Sequence, residues 1–155
     1  MTFAREFIAG WADLDANAHM RNTAFLDRCV DLRMMYFEAH GFSPREFARL
    51  RIGPVVQRDE VDYFREVGLL ERFLIDLSLD GLSADGSRFR LVNAIARADG
   101  TPIARVTSAG GWLDLDARRL AAPPRSILEA LEALPRTAEF VQLKSSLRPR
   151  GENPA

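Results

Sequence analysis

Residues 22–41 read NTAFLDRCVDLRMMYFEAHG. Phe25, Leu26, Cys29, Val30, Leu32, Met34, Met35, Tyr36 and Phe37 are apolar and cover most of the circumference of a helix. A helix apolar nearly all round is a buried one, which places this segment at the centre of the molecule. Asn22 or Thr23 suits the cap position, and Gly41 with Pro44 soon after marks the end near His40.

Working outward, the flanks read as strands. Phe3, Phe7 and Trp11 are large apolar residues among polar neighbours, a first strand. After Gly53-Pro54, residues 55–67 form a long strand of mixed character. Phe73, Ile75, Leu77 and Leu79 alternate with Leu74, Asp76, Ser78 and Asp80, the signature of a half-buried strand. Asp85-Gly86 and Asp99-Gly100 are hairpin signals around a strand from Arg88 to Ala98. The last strand runs from Pro102 to Leu115, where Gly110-Gly111 marks a bulge or a close backbone approach. Pro123-Pro124 leads to a capping box, Ser126 to Glu129, and a short helix through Leu134. Hairpins imply antiparallel pairing. The predicted architecture is therefore α+β, with an antiparallel sheet of five or six strands wrapped around one long helix. Residues 1–143 read as a single domain and 144–155 as a flexible tail. One sheet and one helix leave apolar surface over, so a homo-oligomer is expected, a dimer or a dimer of dimers.

Composition narrows the function classes. The formal charge is −1 with 21 basic residues scattered along the chain, which gives no reason to expect nucleic acid as partner. The single cysteine, Cys29, excludes an intrachain disulfide and a cysteine-rich metal site. No apolar run approaches a membrane span of roughly 18 residues, and the N-terminus has no signal-peptide pattern, so the expected location is cytoplasmic. No Gly-rich loop precedes a helix in the phosphate-binding manner, and no Gly-x-Ser-x-Gly is present.

The chemistry concentrates just before the central helix. Residues 13–22 hold Asp13, Asp15, Asn17, His19, Arg21 and Asn22. Asp15 is placed to act as nucleophile or as general base toward water; the plainer reading is an aspartate satisfying loop amides. His19 suits positioning a carbonyl or orienting Asp15, or simply bonding to backbone. Asn22 stands at the helix start, whose free N–H groups can form an oxyanion hole. Two histidines in the whole chain leave no third ligand for a metal, and none is expected. Cys29 reads as a packing thiol. Arg58, Arg65 and Glu66 are candidates to meet a phosphate-bearing ligand, or are solvated strand residues.

The run Asp13-Leu14-Asp15-Ala16-Asn17-Ala18-His19-Met20-Arg21-Asn22-Thr23-Ala24-Phe25-Leu26 resembles the Asp-x-Asp-x-x-Gly-His-x-Asn-Asn-x-x-Tyr-Leu signature of hot-dog-fold acyl-CoA thioesterases of the 4-hydroxybenzoyl-CoA thioesterase branch. Gly53-Pro54-Val55-Val56 and the segment from Asp99-Gly100 to Asp114 also match, so the similarity spans about residues 3–134. The resemblance implies a hot-dog fold, a catalytic carboxylate at Asp15, and supporting roles for His19 and Asn22. It implies an active site at a dimer interface, near the start of the central helix. Three positions depart from the signature. Ala18 stands where the family has glycine, and a positive φ there carries a steric cost for alanine. Arg21 replaces an asparagine and adds a cation suited to a carboxylate or a CoA phosphate. Phe25 replaces tyrosine.

The resulting expectation is hydrolysis of a fatty or aromatic acyl-CoA or acyl-carrier-protein thioester, without metal or organic cofactor. Asp15, His19 and Asn22 are the catalytic candidates; Arg21, Phe25 and Arg65 are the substrate-binding ones. The alternatives are a non-catalytic acyl-thioester or lipid-binding module of the same fold, and a hydratase acting on acyl thioesters.

Overall fold

A computed structural model describes residues 2–147. The elements run β1 (Phe3–Ile8), a 3-10 turn (Trp11–Asp13), α1 (Asn22–Ala39), α2 (Pro44–Leu50), β2 (Ile52–Tyr63), β3 (Arg72–Ser83), β4 (Arg88–Ala96), β5 (Pro102–Asp114), β6 (Arg119–Ala121), α3 (Arg125–Glu132) and β7 (Arg136–Leu143). The sheet has seven strands, more than the five or six expected, in the order β1-β3-β4-β5-β2. The short β6 pairs with β5, and β7 pairs with β3 in the parallel sense. The remaining pairs are antiparallel, and the sheet packs around α1 as predicted.

Helix α1 is less enclosed than its composition suggests. Ala24, Phe25, Cys29, Leu32, Arg33, Tyr36 and Phe37 are buried, a stripe at three- and four-residue spacing. Val30 and Met35 are 43% and 42% exposed, because the sheet covers only one side of the helix. The far end of α1 seats an aromatic cluster in which Phe37, Phe47 and Phe89 all pack on Trp112. Trp112 is fully buried and satisfies its indole N–H by donating to the Gly86 carbonyl at 3.1 Å. Tyr36 donates its hydroxyl to the Ala130 carbonyl at 2.6 Å, tying α3 to the central helix.

Local chemistry moved several boundaries. The first strand stops at Ile8; the Asp13 carboxylate accepts the Gly10 N–H at 2.9 Å, a turn forms, and Trp11 points outward at 81% exposure. The Ser126 capping box does not form. Pro124 takes the cap position, so Ser126 already lies inside α3, and Glu129 binds the Arg125 side chain instead. At Ser43-Pro44, the Ser43 Oγ accepts the Glu46 N–H and caps the short α2, an element absent from the sequence reading. Gly110 is the expected close approach: β2 bulges between Val56 and Arg58, and a Cβ at 110 would collide with the Val55 carbonyl. Ser145 and Ser146, in the first residues of the expected tail, bond to Asp85 and Ser87; residues 148–155 lie outside the described residues.

Candidate active site

The loop between β1 and α1 is fixed by short backbone bridges. Leu14 pairs with Met20, and His19 pairs with Gly68 on the β2–β3 connection. The Met20 N–H donates to the Val67 carbonyl at 2.7 Å. To close this loop Ala18 adopts a φ of +61°, so the position that is glycine in the family signature does take the left-handed conformation. Alanine holds it because the surrounding bonds over-determine the turn.

The two acids of the motif have separate fates. Asp13 is buried, accepts Nη2 of Arg28 on both oxygens at 2.9 Å, and accepts the Gly10 N–H. Burial works against its ionisation, but the Gly10 amide and the Arg28 guanidinium outweigh it and hold its pKa below the ordinary value. Asp13 thus builds the loop. Asp15 is exposed; its Oδ1 accepts the Asn17 N–H at 2.8 Å, and it forms no ion pair with any described residue.

Asp15 opens on a cleft of about 370 Å³ that Asn22, Phe25 and Arg65 also line, together with Met20, Tyr63, Phe64 and Glu66. Four of the six candidates from the sequence therefore meet in one place. His19 adjoins it, with Nε2 3.2 Å from Oε2 of Glu66. Arg21 is placed otherwise. Its guanidinium donates to the Ala12 carbonyl, to Thr23 Oγ1 and to Asp27, and it does not line the cleft. Arg65 lines it while one Nη donates to the Pro102 carbonyl at 2.8 Å.

Asn22 is not a cap. Arg21 occupies the N-cap, and among the described residues its side chain caps none of the first-turn N–H groups. The N-terminal end of α1 therefore faces the cleft uncapped, with the positive partial charge that its backbone supplies. Tyr63 is a site residue the sequence reading missed. Its hydroxyl donates to the Asn22 carbonyl at 3.0 Å and its ring meets Phe25 edge-on at 5.5 Å. The sequence carried no signal for it: the strand was expected to run on to Val67, and it is the end of β2 at Tyr63 that brings the ring to the helix start. Cys29 is fully buried, and burial pushes its thiol up to about 12, which removes it as a nucleophile. Among the described residues no group of three or more His, Cys, Asp and Glu is placed to hold a metal ion, and no helix is long and apolar enough to cross a membrane.

A family model described as the thioesterase-like superfamily matches residues 9–131, which includes the loop, α1 and strands β2 to β6. This chain belongs to the thioesterase-like superfamily. Solved hot-dog structures resemble this thioesterase-like chain over nearly their whole length. A 1,4-dihydroxy-2-naphthoyl-CoA thioesterase from Synechocystis superposes with a TM-score of 0.77 at 20% identity, covering 86% of this chain and 98% of the other. A Staphylococcus aureus protein solved in complex with CoA gives 0.78 at 20% identity, covering 100% and 95%. A DHNA-CoA thioesterase from Staphylococcus aureus gives 0.76 at 16% identity, covering 84% and 89%. At these identities the likeness is one of fold. No curated protein matches the sequence.

Proposed function

We propose that this protein hydrolyses an acyl-CoA thioester, fatty or aromatic, to the free acid and CoA. The observation that carries the reading is the division of labour between the two acids. Asp13 is consumed by Arg28 and Gly10, while Asp15 stands without a cationic partner among the described residues, in a cleft at an uncapped helix start. A carboxylate so placed either attacks the thioester carbonyl or takes a proton from the attacking water. In both routes the carbonyl oxygen gains negative charge as the nucleophile adds, and the α1 amides around Asn22 are the donors suited to it; the carbonyl then re-forms as the C–S bond breaks and CoA leaves as the thiolate, with water hydrolysing the anhydride where Asp15 itself attacked. His19, set by Glu66, is placed to assist at the carbonyl or the water. Phe25 supplies an apolar wall for the acyl group, and Arg65 a cation at the mouth for the CoA or carrier phosphate. Arg21 serves by bracing the loop. A thioester needs no metal to be cleaved this way. The working form is a homo-oligomer, a dimer or a dimer of dimers: β2 ends the sheet order with no further strand paired to it among the described residues, and Val30 and Val56 leave apolar surface there. Sedimentation equilibrium tests this, and a monomer at micromolar concentration refutes it.

The test of activity is free-thiol release from straight-chain and aromatic acyl-CoAs and from an acyl carrier protein, wild type against Asp15→Asn. Loss of about 10²–10⁴-fold in kcat with the fold intact supports the reading. No release from any of these substrates, with binding retained, favours the non-catalytic binding module. Turnover of enoyl substrates without thiol release favours the hydratase.

A further inference from the structure

α1 and β2 face one another at two separate openings. The two elements meet at Phe25 and Tyr63 beside Asp15, and further along at a second opening. This slot, of about 110 Å³, is walled by Val30 and Met34 of α1, Pro54 and Val56 of β2, and Leu91 of β4. Its lining includes one charged residue, Arg33. Eleven residues separate Asn22 from Arg33, roughly 16 Å of helix at 1.5 Å per residue.

Arg33 is only 6% exposed, and its bonding is incomplete. Its Nε donates to Asn93 Oδ1 at 2.8 Å, and Asn93 is held by donating to the Asp76 carbonyl at 2.8 Å. Nη2 is buried without a partner among the described residues, and no described group accepts from Nη1. Asp59 attracts the guanidinium only through space; its carboxylate accepts the Ser108 hydroxyl instead. A buried cation with Nη2 unpaired on its Nη1–Nη2 edge is costly, and an apolar residue of the same volume would serve packing better. That edge has the fork geometry that receives a carboxylate through two parallel bonds.

We propose that Arg33 determines specificity by receiving a carboxylate at the far end of the acyl chain, so that the preferred substrates are ω-carboxyacyl thioesters, the half-thioesters of medium-chain dicarboxylic acids. The inference rests on the thioesterase reading of the cleft. The thioester sits at Asp15, the methylenes run between α1 and β2 into the apolar slot, and the chain length is set by the distance from the helix start to the Arg33 guanidinium.

The experiment compares matched pairs: adipyl- with hexanoyl-CoA, suberyl- with octanoyl-CoA, and sebacyl- with decanoyl-CoA. Each is assayed for kcat/KM with wild type, R33M and R33K. The expected result is a wild-type preference for the carboxylated member at one chain length, which R33M reduces by about 10- to 100-fold and R33K by less. A wild type that prefers the plain acyl-CoA at every length overturns the proposal, as does an R33M that lowers both members equally. An R33M that sediments as a monomer while the wild type does not also overturns it, because the guanidinium then serves a subunit contact. If R33M does not fold, the wild-type preference and R33K decide. If no thioester is hydrolysed, the reading of the cleft fails, and thermal shift judges Arg33 separately. Stabilisation by suberyl-CoA over octanoyl-CoA in wild type, lost in R33M or R33K, supports the carboxylate site; equal shifts overturn it.

Discussion

Removing either acid of the loop should produce opposite phenotypes, and the structure sets the size of each. In Asp13→Ala, Arg28 loses two charge-assisted bonds at 2.9 Å and the Gly10 N–H loses its acceptor. The Asp13 side chain is 6% exposed, so the lost partner is a buried one. Breaking a buried pair typically costs about 3–5 kcal/mol. The Arg28 side chain is 32% exposed, so water compensates it in part and the lower end, about 3 kcal/mol, applies. For a domain of this size that is a fall in Tm of roughly 6–12 °C. Asp15→Asn keeps an acceptor for the Asn17 N–H and disturbs no ion pair, so its stability should stay within about 0.5 kcal/mol of wild type while thiol release collapses. Calorimetry and thiol release on the same preparations check both. A D15N protein as unstable as D13A, or a D13A protein with unchanged Tm, would refute the division of labour between the two acids.

Other outcomes follow from the same geometry. Gly110→Ala puts a Cβ into the Val55 carbonyl at the β2 bulge and should cost more than about 3 kcal/mol, read by urea unfolding. Burial opposes the ionisation of Asp85, but bonds from Ser145, Ser87 and Ser83 hold its pKa well below the ordinary value. Its contribution is therefore full above about pH 4 and lost as pH falls through the depressed folded value. Asp85→Asn should lower stability by about 1–2 kcal/mol at pH 7, and the gap from wild type should close on acidification. With its thiol pushed up to about 12, Cys29 should resist iodoacetamide at pH 8 in the native protein and react only on unfolding; mass spectrometry after timed labelling checks this.

The helix and the hairpins were legible because their signals are local. Phe73 to Leu79 alternates with a period of two, and Gly86 and Gly100 take φ of +72° and +86° where the Asp-Gly pairs predicted turns. β7 was not legible, since its partner β3 is distant in sequence and parallel, and no turn links them. Trp11 was misread because alternation says nothing about a carboxylate three positions from Gly10 that curls the chain. Within the site, Asp15, Asn22, Phe25 and Arg65 meet in the cleft, all but Arg65 supplied by the loop and the helix that follows it. Tyr63 and the His19–Glu66 pair depend on where β2 ends relative to α1, a matter of register rather than of motif.

The bridges that fix the loop also bear on how the cleft opens. Met20 is bonded to Val67, His19 is paired across the same bridge with Gly68, and Ala9 is bonded to both Leu70 and Glu71, so the Asp15 segment and the Glu66 segment are stitched together. Neither can swing out alone. Their amides should exchange with deuterium as one cooperative unit, at a common rate slower than that of a free loop. Admission of substrate then falls to the side chains at the mouth, Phe64 and Arg65 among them, whose rotamers turn over far faster than the backbone can unzip.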